Sequence, residues 1–379
     1  MVKRVPIDTY CDKKIPTLQK TYDGLIDYVD ISSVGNNEKK IISYQTIESN
    51  DAPSRAKQLL KKGDVLVSTV RPNLNAVAVV EEETENLLVG STGYCVLRCK
   101  DTMDVRYLFN FCQSQYFVDD MSSQATGASY PAVSNGIVRS SLIPCYSIEE
   151  QKEIAEKMDT VSELLALRKQ QLAELDELTK SRFIELFIGK GYPTKTVDEV
   201  SLGKGEYGAQ SASSAYDPTR PRYVRITDIN DDGTLNDDIV SSANFDDDEQ
   251  YKLEYGDFMF ARMGATVGKT YAFIEGNQIF AGYLIRYRLN KGLINPRYLF
   301  WYTKLDEYWN WVKLNQSGAA QPGINAKKYG SLQIPLPPIE EQNAFAAFVE
   351  QTDKSKLAVQ KSIAELEELK KSLMQKYFG

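Results

Sequence analysis

Two stretches of about forty residues carry apolar side chains at alternating three- and four-residue steps, with charge filling the positions between. The first steps through Ile154, Met158, Val161, Leu165, Arg168, Leu172, Leu175, Thr179, Arg182 and Leu186. The second steps through Phe345, Val349, Thr352, Lys356, Val359, Ile363, Leu366, Lys370, Leu373 and Tyr377. Apolar residues dominate both series, which is the signature of a helix with one buried seam. No proline or glycine interrupts Ile148 to Ile188 or Ile339 to Phe378. A forty-residue helix is about 60 Å long at 1.5 Å per residue. Such a seam is too long to bury against one small domain, so the pattern predicts that the two helices pair antiparallel as a coiled coil. The other reading is two independent helices that dock onto two other proteins.

Both helices begin the same way. Ile143-Pro144 precedes the first and Ile334-Pro335-Leu336-Pro337-Pro338 the second, and proline keeps the residue before it out of the helical region. Ser147 with Glu150 three residues on forms a capping-box pattern.

Ahead of each helix the period changes from 3.6 to 2, or to short continuous apolar runs. Val65 to Val70 and Tyr94 to Leu97 read as strands, as do Phe258 to Phe260 and Tyr283 to Tyr287, with Gly, Asn, Asp and Pro between them. Helical spacing returns at Arg106 to Asp120 and at Pro296 to Leu314. In the latter segment the aromatics Tyr298, Trp301, Tyr302, Tyr308 and Trp309 read as core.

The chain repeats itself. Ile148-Glu149-Glu150-Gln151 recurs as Ile339-Glu340-Glu341-Gln342, an offset of 339 − 148 = 191. Pro131 falls on Pro322 at that offset, and Leu175 on Leu366. Gly63-Asp64 matches Gly256-Asp257 at 193, a drift that loop insertions produce. The expected organisation is therefore α+β, an internal tandem repeat with pseudo-twofold symmetry. It comprises a β-rich domain at 1–145, a helix region at 146–190, a second β-rich domain at 191–335 and a C-terminal helix region at 336–379.

Composition then narrows the chemistry. Among 379 residues there is no histidine, which removes Ser-His-Asp and Cys-His nucleophile systems and imidazole metal ligands together. The five cysteines form no C-x-x-C pair and read as buried, reduced thiols. The first residues show charge and no apolar segment, and no run approaches a membrane span, so a soluble cytoplasmic protein is expected. The net charge of −7 does not announce a nucleic-acid binder. The acid is concentrated, however: Ile226 to Tyr251 holds no Lys or Arg and reads as a solvated loop. Arginines at 220, 222 and 225 precede it, and Arg262, Lys269, Arg286 and Arg288 follow.

Two near-motifs fail on spacing or context. Gly264 to Thr270 resembles a P-loop but has three residues between its glycines where four are needed. Gly203-Lys204-Gly205-Glu206-Tyr207-Gly208 satisfies G-x-G-x-x-G without a surrounding βαβ unit. The only Pro-Pro, Pro337-Pro338, lacks the preceding Asn or Asp and following aromatic of an adenine methyltransferase.

The duplicated arrangement, with its Pro-rich leaders, I-E-E-Q turns and long helices, resembles the specificity subunit of Type I restriction-modification enzymes along the full chain. The segment Tyr255 to Arg262 resembles that family's recognition domains too. Cys145-Tyr146-Ser147 departs from the pattern, which has proline there. The resemblance implies two target-recognition domains, each reading one half of a split, asymmetric double-stranded DNA sequence. It implies helices that set the spacer and dock two methyltransferase subunits, with restriction subunits joining the complex. It implies no catalytic residue, metal or cofactor in this chain, S-adenosylmethionine belonging to the partner methyltransferase. A coiled-coil scaffold that bridges enzymes without reading DNA is the alternative.

Base-contacting positions do not transfer within such a family. The candidates are loops after a shared strand: Ser68, Arg71 and Asn73 in the first repeat, and Arg262, Thr266 and Lys269 in the second. The Gly-rich turns add Tyr130 and Gln321, and Lys327 and Lys328 follow the second turn.

Overall fold

The computed structural model describes residues 2–245, 249–318 and 322–379. The chain forms two compact units, one of Met1–Gln170 with Gln360–Gly379, the other of Gln171–Val359. Each long helix contributes to both.

In the first unit the strands are β1 (Arg4–Pro6), β2 (Leu25–Val29), β3 (Gln45–Glu48), β4 (Ala56–Leu59), β5 (Asp64–Ser68), β6 (Val77–Val79), β7 (Leu87–Ser91), β8 (Tyr94–Arg98) and β9 (Leu142–Pro144). They make a four-stranded sheet ordered β3-β2-β7-β4, a three-stranded sheet ordered β6-β5-β8, and the pair β1-β9. The helices are α1 (Val105–Gln113), α2 (Gln115–Gln124), α3 (Asn135–Ser140) and the long α4 (Ile148–Phe187).

The apolar run in β5 has a simple cause. Val65 and Val67 enter the core built with α1, α2 and the helix ends, while Leu66 enters a second core with Val29, Tyr94 and Val96. A strand buried on both faces loses the apolar–polar alternation. Beneath β5, the buried Asp64 receives two bonds of 2.8 Å from Arg98 of β8.

The second unit repeats this plan. Its strands are β10 (Thr194–Thr196), β11 (Glu206–Tyr207), β12 (Ser213–Ala215), β13 (Arg222–Val224), β14 (Ser241–Ala243), β15 (Asp257–Ala261), β16 (Thr270–Ala272), β17 (Gln278–Phe280), β18 (Leu284–Arg288) and β19 (Gln333–Pro335). A four-stranded sheet runs β11-β18-β15-β16, with pairs β12-β14, β13-β17 and β10-β19 beside it. The helices are α5 (Pro296–Tyr302), α6 (Asp306–Asn315), α7 (Ala326–Gly330) and the long α8 (Ile339–Phe378). Phe258 and Phe260 face one core and Met259 and Ala261 another, as in β5.

The long helices follow their sequence pattern closely. The Ser147 N–H donates to the Glu150 carboxylate at 2.9 Å, and the Glu150 N–H donates to the Ser147 hydroxyl at 3.3 Å, a complete capping box. Within the first unit, Ile154, Met158, Val161 and Leu165 are buried, while Ile363, Leu366 and Leu373 are half-buried. Lys169 pairs with Glu367 at 3.1 Å, and Val161 shares a groove with Leu373, so the two segments run antiparallel there. Within the second unit, Phe345, Val349 and Val359 are buried, and Leu172 and Leu175 half-buried. Asp176 pairs with Lys356 at 2.5 Å, while the Phe183 and Phe345 rings lie 5.3 Å apart, again antiparallel. Among the described residues no helix is long and apolar enough to cross a membrane.

The helical spacing at Arg106 to Asp120 and at Pro296 to Leu314 corresponds to two short helices in each stretch, and two expectations about buried side chains are corrected. Ser114 leaves the helical region (ψ 148°) and its hydroxyl caps α2 by accepting the Phe117 N–H at 3.3 Å. Among the aromatics read as core, Tyr298, Tyr302 and Tyr308 are buried, but Trp301 is half-buried and Trp309 is 40% exposed. Trp309 lies over Gly268, where an added Cβ would meet its ring at 2.9 Å. Cys145 is exposed rather than buried, and Cys99 is half-buried. Cys145 sits in the extended leader ahead of α4, its Sγ 3.0 Å from the Tyr10 hydroxyl.

Candidate nucleic-acid interface

Each unit carries a β-hairpin loop held against a second, glycine-started loop. In the first unit β5 turns into β6 through residues 69–76. Arg71 N–H donates to Pro131 O at 2.7 Å and Val133 N–H to Thr69 O at 2.9 Å, with Val70 bridged to Ala132. The second loop closes by a Thr126–Ala132 bridge and begins at Gly127, φ 104°. In the second unit Gly264 N–H donates to Pro322 O and Ile324 N–H to Arg262 O, both at 2.9 Å. Met263 bridges Gly323, Ser317 bridges Gly323, and Gly318 has φ 102°. These contacts between the loops correspond pair for pair, so Arg71 corresponds to Gly264, Asn73 to Thr266 and Asn75 to Gly268; the turns differ at their far ends, where Asn75 N–H donates to Pro72 O and Gly268 N–H to Ala261 O. The P-loop-like segment from Gly264 is thus a hairpin turn between β15 and β16, with no phosphate nest opening a helix.

The side chains on this common backbone differ. Ser68 is buried at the end of β5 and its hydroxyl donates to Val70 O at 3.0 Å, so it stabilises the turn from within. Arg71 and Asn73 are exposed at the tip. The Arg71 guanidinium lies 5.1 Å from the ring centroid of Tyr130, which is 69% exposed. That separation suits a cation–π contact.

In the second unit Arg262 is half-buried and lies 4.7 Å from the Tyr207 ring centroid. Thr266 donates its hydroxyl to Met263 O at 3.2 Å. Lys269 pairs with Asp231 at 2.7 Å and donates to Ile229 O at 3.3 Å. Lys327 and Lys328 are exposed on α7. Gln321 lies outside the described residues. The structure thus gathers Arg71, Asn73 and Tyr130 at one loop, and Arg262 and Thr266 at its counterpart.

The acidic segment is not simply solvated. Asp231 holds Lys269, Asp237 holds Arg222 at 2.6 Å, and Asp228 holds Arg225 at 2.8 Å. The Lys269 ammonium hydrogen-bonded to Asp231 holds that carboxyl below the usual aspartate range. Lys304 donates to Asp231 O at 2.6 Å, and burial lowers its ammonium to about 8. Three of the basic groups flanking this segment in sequence, Arg222, Arg225 and Lys269, are therefore matched by its own acids, whereas Arg71 has no carboxylate partner among the described residues.

Sequence reasoning missed Tyr207, Tyr283 and Lys39. Tyr207 is 42% exposed under Arg262 and Tyr283 54% exposed, its carbonyl accepting the Arg262 N–H at 3.0 Å. Tyr207 stands inside the G-x-G-x-x-G segment, whose only sequence signal was the rejected nucleotide motif. Lys39 lies in a polar loop and donates its ammonium to Asn75 O; no local pattern marks that reach.

The chain matches the Type I restriction modification DNA specificity domain twice, over residues 8–177 and 194–370. It is 23% identical over 136 residues to the Type I restriction enzyme MjaVIII specificity subunit of Methanocaldococcus jannaschii, covering 35% of this chain and 32% of that protein. It is 23% identical over 380 residues to the putative MjaX specificity subunit of the same organism, covering 91% of this chain and 84% of that one. The match therefore spans about a third of the length of the first relative and most of the second. A solved chain from work on complex assembly and conformational transition of the type I R-M system superposes with TM-score 0.65 at 25% identity, over 99% of this chain and 97% of that one.

Proposed function

This chain belongs to the family of Type I restriction modification DNA specificity domains, and from that premise we propose that each of its units reads one half of a split, asymmetric DNA target. The observation that carries this reading is the pair of loop platforms. The backbone contacts that join the two loops correspond between the units, while the residues they present differ: Arg71, Asn73 and Asn75 against Gly264, Thr266 and Gly268. One scaffold holding two sets of side chains suits two different half-targets. Side chains at loop tips would reach base edges, and lysines and arginines around them would fix the register through phosphates.

In this reading the chain performs no chemistry. Two methyltransferase subunits, carrying S-adenosylmethionine, would dock on it and methylate adenines at the site it selects, and restriction subunits would complete the assembly in the cytoplasm. The helices offer docking surface: Leu164, Leu167, Leu178 and Leu369 are each more than 40% exposed on α4 and α8. The paired helices would fix the spacing of the two half-targets. A scaffold that bridges enzymes without DNA needs only the helices and leaves the duplicated loop platforms without a role.

The test is retention of duplex DNA by the chain assembled with its methyltransferase. Specific retention that weakens linearly in log affinity with log salt supports DNA reading. A complex that assembles and retains no duplex at low salt supports the scaffold.

A further inference from the structure

The described residues contain three non-glycine positions with positive φ: Lys39 at 53°, Arg71 at 49° and Asn75 at 48°. All three meet at one loop. Arg71 and Asn75 bracket the single 3-10 turn Pro72–Leu74, and the Lys39 ammonium donates to the Asn75 carbonyl. The corresponding positions in the second unit also have positive φ but are glycines, Gly264 at 71° and Gly268 at 91°, around a 3-10 turn that there spans Gly264–Thr266. Glycine takes this conformation without penalty, whereas a side chain strains it. The first unit therefore keeps an arginine where the backbone favours glycine. Strain of this kind concentrates at sites where it serves function.

What the strain delivers is an exposed guanidinium with no carboxylate partner among the described residues, laid 5.1 Å from the Tyr130 ring centroid. The ring limits the directions in which the planar fork can turn. A fork held this way offers two parallel N–H donors, the arrangement that matches O6 and N7 of guanine in the major groove. We propose that Arg71, presented by the left-handed turn and shelved on Tyr130, reads a guanine in the half-target of the first unit. Lys39 is a positioning residue that ties down the far end of the turn. The proposal rests on the reading that the chain selects DNA sequences.

The test uses the full chain assembled with its methyltransferase, acting on a duplex library randomised across both half-targets and spacer. With the wild-type chain, one half-target contains an invariant G·C pair. Arg71→Gly and Arg71→Gln lose discrimination at that pair by roughly 5- to 150-fold, while the other half-target stays as strict as before. Arg71→Gly keeps its thermal midpoint, because glycine takes a positive φ without strain, as Gly264 does at the equivalent position, so lost reading is not lost folding. Tyr130→Ala relaxes the same pair to a smaller extent. Arg71→Gly that keeps every position as strict as wild type overturns the assignment. So does uniform weakening across both half-targets, which marks a phosphate contact. A wild-type complex that methylates the library without any split preference overturns the DNA-reading account itself.

Discussion

Gln342 makes the three hydrogen bonds of Gln151 over again, 191 residues on. The Gln151 Oε1 accepts the Asp104 N–H at 2.9 Å, and its Nε2 donates to Thr102 O at 3.3 Å and Tyr146 O at 3.0 Å. The Gln342 Oε1 accepts the Asn295 N–H at 2.9 Å, and its Nε2 donates to Leu293 O at 3.1 Å and Pro337 O at 2.8 Å. Both side chains are buried. The repeated I-E-E-Q turn thus joins the leader, the start of α1 or α5, and the long helix through one amide. Replacing Gln151 with Leu orphans two carbonyls and an N–H. We expect a loss of at least about 1–3 kcal/mol and faster hydrogen exchange at the Asp104 amide. Unchanged exchange there would show that the amide is not the fastener.

Asp64 is fully buried and its partner Arg98 nearly so. Removing one member of a buried, bidentate pair leaves a charge without compensation, a loss of about 3–5 kcal/mol. Arg98→Met is expected to lower the unfolding free energy of the first unit, measured by denaturant titration, by that amount, and Arg98→Met with Asp64→Leu to recover most of it. A double variant as unstable as the single one would place the cost in packing instead.

Lys304 gives a pH signature. Burial places its ammonium at about 8, while in the unfolded chain it returns to about 10.4. Between those values the unfolded chain holds the proton and the native protein has released it. Stability from this group therefore rises as pH climbs from about 8 toward about 10.4, and is lost as pH falls through about 8. Wild type should gain on Lys304→Met in thermal midpoint over that range. A difference between the two proteins that stays constant from pH 7 to 10 would contradict the assignment.

Arg262 should act on one half-target alone. Arg262→Ala is expected to weaken the assembled complex by about 1–3 kcal/mol on duplexes carrying the second unit's half-target, with the other half's contribution intact. Equal affinity of variant and wild type for duplexes altered in either half would remove Arg262 from the interface.

The helices were the most legible part of the sequence, because their seam repeats over forty residues without a breaker and Ser147 and Glu150 form a local signal at the start. The apolar strands β5 and β15 were legible too, since burial on both faces writes a continuous run. The break at Ser114 was not: serine inside an apolar 3.6 pattern reads as a tolerated helix residue until its hydroxyl is seen to cap α2. Ser68 ranked as a candidate because it ends a strand before a loop, yet its hydroxyl is drawn back to Val70. The platforms themselves depend on Val70 meeting Ala132 and Met263 meeting Gly323, pairings across some sixty residues that no local pattern records. The left-handed Arg71 was equally hidden, since arginine carries no sequence mark of positive φ.

The most direct measurement is a genome-wide map of adenine methylation, at single-molecule resolution, in cells expressing this chain with its methyltransferase and in matched cells lacking only this chain. The account predicts one new split motif, with two unlike half-targets and a fixed spacer, present solely when the chain is present. An assembled complex that leaves the methylation map unchanged would contradict it.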